Sequence, residues 1–215
     1  MKNNFAQFVP ENYYHVFNRT NNKELLFLND SNRFYFMDLI KNKLEGFANV
    51  LAFSILDTHF HYCIYIKSKE DILMKINRLR KTDLTASMHD FLKEEDNEKF
   101  FHDLISTRFS GAFNSYAQSF NKENSRNGNL FYKTYKHPLL TGDEHIKSII
   151  YYIHHNARKH GIVDNFLDHE WHSYHLIKAN DKTYVDIDLI MKIYDGLPNL
   201  IKHHSQFLLE KDLEM

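Results

Sequence analysis

VLAFSIL (Val50–Leu56) and FHYCIYI (Phe60–Ile66) are separated only by Asp57, Thr58 and His59. Both runs are apolar and rich in β-branched and aromatic residues, and so short a connection leaves room only for a reversal. They therefore read as adjacent antiparallel strands. Working outward, Tyr13–Asn18 (YYHVFN) has the same character and predicts an earlier strand. Between them, Asp30-Ser31 can cap a helix to about Lys43, with Phe34, Met37, Leu39, Ile40 and Leu44 at helical spacing. After the strand pair comes a charged, helix-prone stretch from Lys67 to Glu98, then a longer helix from Phe100 to about Phe120. Asn121–Asn129 (NKENSRNGN) reads as a loop turning at Asn127-Gly128, and Leu130–Leu140 (LFYKTYKHPLL) as a strand that Pro138 ends. Asp143 caps a further helix carrying Ile146, Ile149, Ile150, Ile153 and His154, stopped at Gly161. The segment from Asp186 to Met215 holds one or two amphipathic helices. The order β-α-β-β-α-β-α predicts an α+β sandwich of the ferredoxin-like or RRM-like kind, an antiparallel sheet with helices packed on one face. A helical insertion falls at about 68–98. The main domain spans 1–180, followed by a C-terminal helical extension over 181–215.

Composition narrows the function classes. The 215 residues carry 27 Lys and Arg against 28 Asp and Glu, a formal net charge of −1. No protein-wide cationic field exists, so any contact with nucleic acid must rest on local patches. One cysteine, Cys63, excludes an internal disulfide and points to a reducing compartment. It sits on an apolar strand and reads as a small buried hydrophobe. No stretch approaches 18 uninterrupted apolar residues, and the start, MKNNFAQFVPENYY, lacks the apolar core of a secretory signal. The expectation is a cytoplasmic protein that does not engage a membrane. The chain is heavy in histidine (15) and in aromatics (18 Phe, 13 Tyr, one Trp).

Two clusters could carry chemistry. In His59-Phe60-His61 the two imidazoles share one face of a strand, with Phe60 on the other, and such a pair can bind a divalent metal. In a chain with 15 histidines the same triplet also arises by chance. In Tyr152-Ile153-His154-His155-Asn156, helical spacing puts Tyr152 and Asn156 on one face. A carboxamide oxygen can serve as a third ligand for a hard cation, and the phenol beside it could attack a metal-bound phosphodiester. The alternative is a half-buried aromatic and a helix-end asparagine. Tyr151 and His155 form a parallel i,i+4 pair and remain a rival.

Taken together, these pieces resemble the HUH endonuclease superfamily. His59-Phe60-His61 after an apolar strand is similar to its His-hydrophobe-His motif, and Tyr151–Val163 (YYIHHNARKHGIV) to the catalytic helix of the REP-associated tyrosine transposases. Tyr14–Phe27 (YHVFNRTNNKELLF), including Arg19, resembles that family's first strand and loop. Gly128–His137 (GNLFYKTYKH) is similar to its Gly-x-Leu-aromatic strand, and Glu170–Tyr174 (EWHSY) to its Trp-Ser-Ser-Tyr element. The five matches run in the family's order over residues 12–176. The resemblance implies that His59, His61 and Asn156 hold Mg²⁺ or Mn²⁺ and that Tyr152 attacks single-stranded or hairpin DNA, leaving a 5′-phosphotyrosine and a free 3′-OH. Two departures stand out: Asp57-Thr58 replaces the family's Pro-Asn before the first histidine, and Asn156-Ala157 replaces Asn-Pro. Alanine favours a helix that runs on.

Three local basic patches suit DNA phosphates. Lys75–Lys81 (KINRLRK) includes Arg78, Arg80 and Lys81. The second holds Lys122, Arg126, Lys133 and Lys136, interleaved with Phe131, Tyr132 and Tyr135, which could stack unpaired bases. Arg158 and Lys159 form the third. For each, a solvated face or a core aromatic is the plainer reading. Asp90–Glu98 is acidic and is expected to lie away from DNA. His102, His145, His169, His172, His175, His203 and His204 show no partner pattern. The expected function is metal-dependent nicking and rejoining of DNA. The alternatives are a nucleic-acid-binding protein of the same fold, catalytically inactive or domesticated, and a metal-dependent hydrolase unrelated to DNA. The tail could form a homodimer or pack against the sheet.

Overall fold

The structure, a computed structural model, describes residues 5–21, 24–94 and 97–212, with side chains to residue 205. The first four residues, Asn22 and Lys23 of the Tyr14–Phe27 stretch, Glu95 and Asp96 of the acidic run, and the last three residues of the tail lie outside the described residues. Four strands form one sheet: β1 (Tyr13–Arg19), β2 (Ala48–Leu56), β3 (His59–Ile66) and β4 (Leu139–Leu140). Their order is β2-β3-β1-β4, and every pairing is antiparallel. The predicted hairpin is present, with Asp57-Thr58 between β2 and β3.

Strand alternation divides the sheet into two unlike faces. Phe60, Tyr62, Ile64 and Ile66 of β3 point toward α1 (Asp30–Leu44) and α4 (Glu98–Glu123). Phe36 of α1 lies 4.9 Å from the Phe60 ring, and Phe113 of α4 lies 5.1 Å from it. These rings are fully or almost fully buried, and each contributes roughly 1.5–3 kcal/mol by leaving water. His59, His61, Cys63 and Tyr65 point the other way, beside Arg19, Phe17, His15 and Tyr13 of β1. Across this second face runs α5 (Asp143–His154), contacting β2 and β3. The α+β class with its antiparallel sheet is as predicted: α1 and α4 cover one face, and α5 is an addition on the other. Cys63 is free and buried, as expected.

Several element boundaries differ from the sequence reading. Asn29 caps α1, its side chain accepting from the Asn32 N–H, so Asp30 is already helical. Phe34 is 51% exposed and Phe36 takes its place in the core. The expected strand Leu130–Leu140 is reduced to Leu139–Leu140, although isolated pairs keep the segment beside β1 (Phe17 with Lys136, Thr20 with Phe131). Lys133 adopts φ +54, which breaks a strand, and Pro138 has no N–H to donate. The charged stretch 67–98 forms separate short pieces, among them α2 (Lys69–Asn77) and α3 (Ala86–Lys93).

The C-terminal part closes the sheet's β2 edge. Ile55 N–H donates to Trp171 O (2.8 Å), Ser173 N–H to Phe53 O (3.0 Å) and Asp186 N–H to Val50 O (2.8 Å). Backbone groups that would template aggregation are thereby covered. Beyond α7 (Tyr174–Ala179) follow α8 (Ile187–Tyr194) and α9 (Leu197–Asp212). Ile187, Ile190, Tyr194 and Leu200 join the same hydrophobic cluster as the sheet, so this part of the tail packs against the domain. Among the described residues, no helix is long and apolar enough to cross a membrane.

Candidate active site

β3 starts at His59, so both imidazoles of His59-Phe60-His61 emerge at the end of a central strand, on the face under α5. Their ring centroids are 5.4 Å apart with planes at 90°. Thr58 Oγ1 lies 3.1 Å from His59 Nδ1 and orients that ring. The preceding residue, Asp57, is held by an ion pair with Arg33, whose guanidinium also lies 5.2 Å from the Trp171 ring centre. The turn that launches His59 is thus fixed by α1 and by the EWHSY segment together.

The opposing residues come from the end of α5. The helix does not run on through Ala157: it breaks at His155 (φ −92°, ψ 5°), and α6 (Asn156–Lys159) begins immediately after. Gly161 at φ +65 then ends the segment, with Ile162 N–H donating to Ala157 O (3.0 Å), as a glycine C-cap requires. The break leaves Tyr152 facing the sheet, its ring 5.5 Å from His61 and 5.9 Å from His15. Asn156 is fully buried, and its Oδ1 lies 3.0 Å from His59 Nε2. The rival pair points elsewhere: Tyr151 stacks on His155 at 3.9 Å, with His204 of α9 beside both rings.

The electrostatics suit metal ligation. Burial pushes His61 well below the ordinary imidazole pKa, reinforced by neighbouring His15 and His59. Burial also lowers His59, opposed by its hydrogen bond to Asn156. Both are therefore neutral at pH 7, the state with a lone pair to offer. Burial raises the Tyr152 phenol, while the Asn156 carboxamide pulls it down; Asn156 Nδ2 stands near the phenol without a well-formed hydrogen bond to it. Among the described residues, no group of three or more His, Cys, Asp or Glu side chains is placed to hold a metal. The donor set is instead two imidazoles and one carboxamide oxygen. The 3.0 Å between His59 Nε2 and Asn156 Oδ1 matches the spacing of neighbouring ligands around an octahedral ion bonded at about 2.1 Å, roughly 3.0 Å. Two imidazoles and a carboxamide oxygen are donors that could hold a divalent cation.

The basic residues fall into two groups. Arg19 pairs directly with His59 across the sheet, and its guanidinium lies 4.7 Å from the Tyr132 ring centre. Lys133 Nζ lies 5.2 Å from the same ring, Lys136 Nζ 5.7 Å from Phe17, and Lys159 Nζ 4.7 Å from Tyr152. Phe17 is the direct partner of His61, so these four cations border the site. Arg158 follows on α6 and is half-buried. Lys122 is exposed near the end of α4. Arg126 is engaged with Glu24, Asn121 Oδ1 and the carbonyls of Gly128 and Asn129, which makes it a brace for its loop. Arg78, Arg80 and Lys81 follow α2 at the opposite end of β3; Arg80 pairs with Asp83 (2.9 Å). The predicted stacking surface also contracts. Tyr135 is buried against Ser106 and Phe131 packs among Phe60, Phe113 and Tyr116, leaving Tyr132 exposed.

Sequence reasoning passed over His15, whose Nε2 is 2.9 Å from His61 Nδ1. Its alternation with Phe17 and Arg19 on one face of YYHVFNR was the available signal. His160, which the sequence placed with Arg158 and Lys159 at the basic end of the helix, lies with its ring 4.9 Å from His59. No protein-family model matches the chain, and no curated protein matches it. Among solved structures, the chain is similar to a REP-associated tyrosine transposase bound to a REP hairpin, at 15% identity and TM-score 0.48, over 85% of this chain and 87% of that one.

Proposed function

We propose that the protein is a metal-dependent endonuclease that nicks and rejoins single-stranded or hairpin DNA through Tyr152. The observation that carries this reading is the meeting of His59 and His61 on β3 with Tyr152 and Asn156 at the α5–α6 break. A divalent cation held by His59, His61 and Asn156 would supply Lewis-acid polarisation of the scissile phosphate. Tyr152 Oη forms the new bond to phosphorus, the bond from phosphorus to the 3′ oxygen breaks, and the phenolic proton ends on the departing 3′ hydroxyl. Burial holds the phenol protonated at rest, and Asn156 eases its ionisation during attack. A second strand's 3′ hydroxyl reverses the step, because the phosphotyrosine is itself a phosphodiester; no nucleotide cofactor is required. Arg19, Lys133, Lys136 and Lys159 contact strand phosphates, and exposed Tyr132 stacks an unpaired base.

Incubation with hairpin-tailed single-stranded DNA and Mn²⁺ tests the reading. A covalent protein–DNA adduct is expected with the native chain and none with Tyr152→Phe; an adduct that survives the substitution ends the proposal. One observation favours a second reading, nucleic-acid binding without chemistry: His59 Nε2 and Asn156 Oδ1 satisfy each other directly. That reading predicts DNA affinity indifferent to chelator and to His59→Ala, and no adduct.

A further inference from the structure

We propose that His15 is a positioning residue for this site, fixing the tautomer of His61 so that its Nε2 is free for a metal ion. The inference rests on the metal-site reading above. His15 Nε2 and His61 Nδ1 are 2.9 Å apart, and both side chains are buried. One of these nitrogens must carry the shared proton. A proton on His15 would leave His61 protonated at Nε2, the nitrogen a metal would need. A proton on His61 Nδ1, accepted by His15 Nε2, frees His61 Nε2 as a lone-pair donor. The sheet register sets up this arrangement. His15 lies opposite Cys63, one pleat along from the Phe17–His61 pair, so it reaches His61 diagonally across two central strands. Phe17 packs against both rings, tilted at 4.6 Å from His15 and stacked at 5.4 Å from His61, and limits their rotation. His15 also meets the Tyr152 ring edge at 5.9 Å, so a single side chain bears on both the ligand and the nucleophile.

¹⁵N-edited NMR of histidine side chains in the Mg²⁺-loaded native protein reads the proton directly. A coupling across the N–H···N bond is expected, with the proton on His61 Nδ1. A proton on His15 Nε2, or no coupling, overturns the proposal. Mn²⁺ titration followed by electron paramagnetic resonance gives the second readout. His15→Phe keeps a ring but no acceptor, and Mn²⁺ affinity is expected to fall by about 10–100-fold. His15→Gln restores an acceptor and is expected to recover most of that loss. Equal Mn²⁺ affinity in the native chain and His15→Phe sinks the positioning role alone. Failure of the native chain to bind Mn²⁺, unaltered by His59→Ala, removes the metal site and this proposal with it.

Discussion

Tyr132 and Arg126 came from the same basic, aromatic stretch of sequence, and their surroundings give them opposite roles. Tyr132 is 37% exposed between Lys133 and Arg19; the hydrogen bond and charge of Lys133, and to a lesser extent those of Arg19, pull its phenol's pKa down. Tyr132→Ala is expected to weaken single-stranded DNA binding by about 1–3 kcal/mol, roughly 5- to 150-fold, with little change in melting temperature. Arg126 spends its donors on Glu24, Asn121 and two backbone carbonyls. Arg126→Ala should instead lower the melting temperature and leave DNA affinity nearly unchanged. Fluorescence anisotropy and calorimetry on the two variants separate the outcomes. That His59 and His61 share one face could be read from the sequence because strand alternation is strictly local. His15 is a different case: its importance depends on which strand pairs with which, and at what register.

At the level of elements, α9 is tied to α5 by a directional chain of buried hydrogen bonds. The Leu200 carbonyl accepts from His204 Nδ1 (2.9 Å), so neutral His204 accepts at Nε2 from His154 Nδ1 (2.8 Å). His154 then accepts at its own Nε2 from Ser173 Oγ (2.8 Å), and Ser173 Oγ accepts from Phe53 N–H of β2 (2.9 Å). The chain fixes the end of α5, two residues before Asn156, against both the tail and the sheet. His204→Leu leaves the His154 N–H without its acceptor in a fully buried position, which costs about 1–3 kcal/mol. A lowered denaturation midpoint is the expected result. Unfolding free energy unchanged by His204→Leu would contradict it. The β2–β3 hairpin and the main helices could be read from periodicity and turn chemistry. The helix break at His155 could not, since Ala157 carries no local stop signal and tertiary packing decides the geometry there.

Across the whole molecule, the abundance of histidine becomes a source of acid sensitivity. Burial pushes His15, His172 and His204 down to about 3, and His137 and His155 to about 4. Unfolded, each titrates near 6.5. Between 6.5 and the folded value the unfolded chain binds more protons, so stability rises with pH across that window. Full stability is present above 6.5 and is lost as pH falls toward 4, each such residue contributing about 1.4 kcal/mol per pH unit. Calorimetry should show a melting temperature that is flat above pH 7 and drops steeply from pH 6.5 to 5. A profile that stays flat to pH 5 would falsify the burial of these imidazoles. The same excess had no visible role in composition alone, because burial of individual side chains is a property of the assembled core.

The two faces of β3 differ by one residue of offset. A slip of one position against β1 or β2 would drive imidazoles into the phenylalanine-rich layer and present aromatic rings where the site should be. Misfolded molecules therefore lose the entire site rather than part of it. Under the proposed chemistry, the fraction of chains in a preparation that form a covalent DNA adduct would count the correctly assembled molecules.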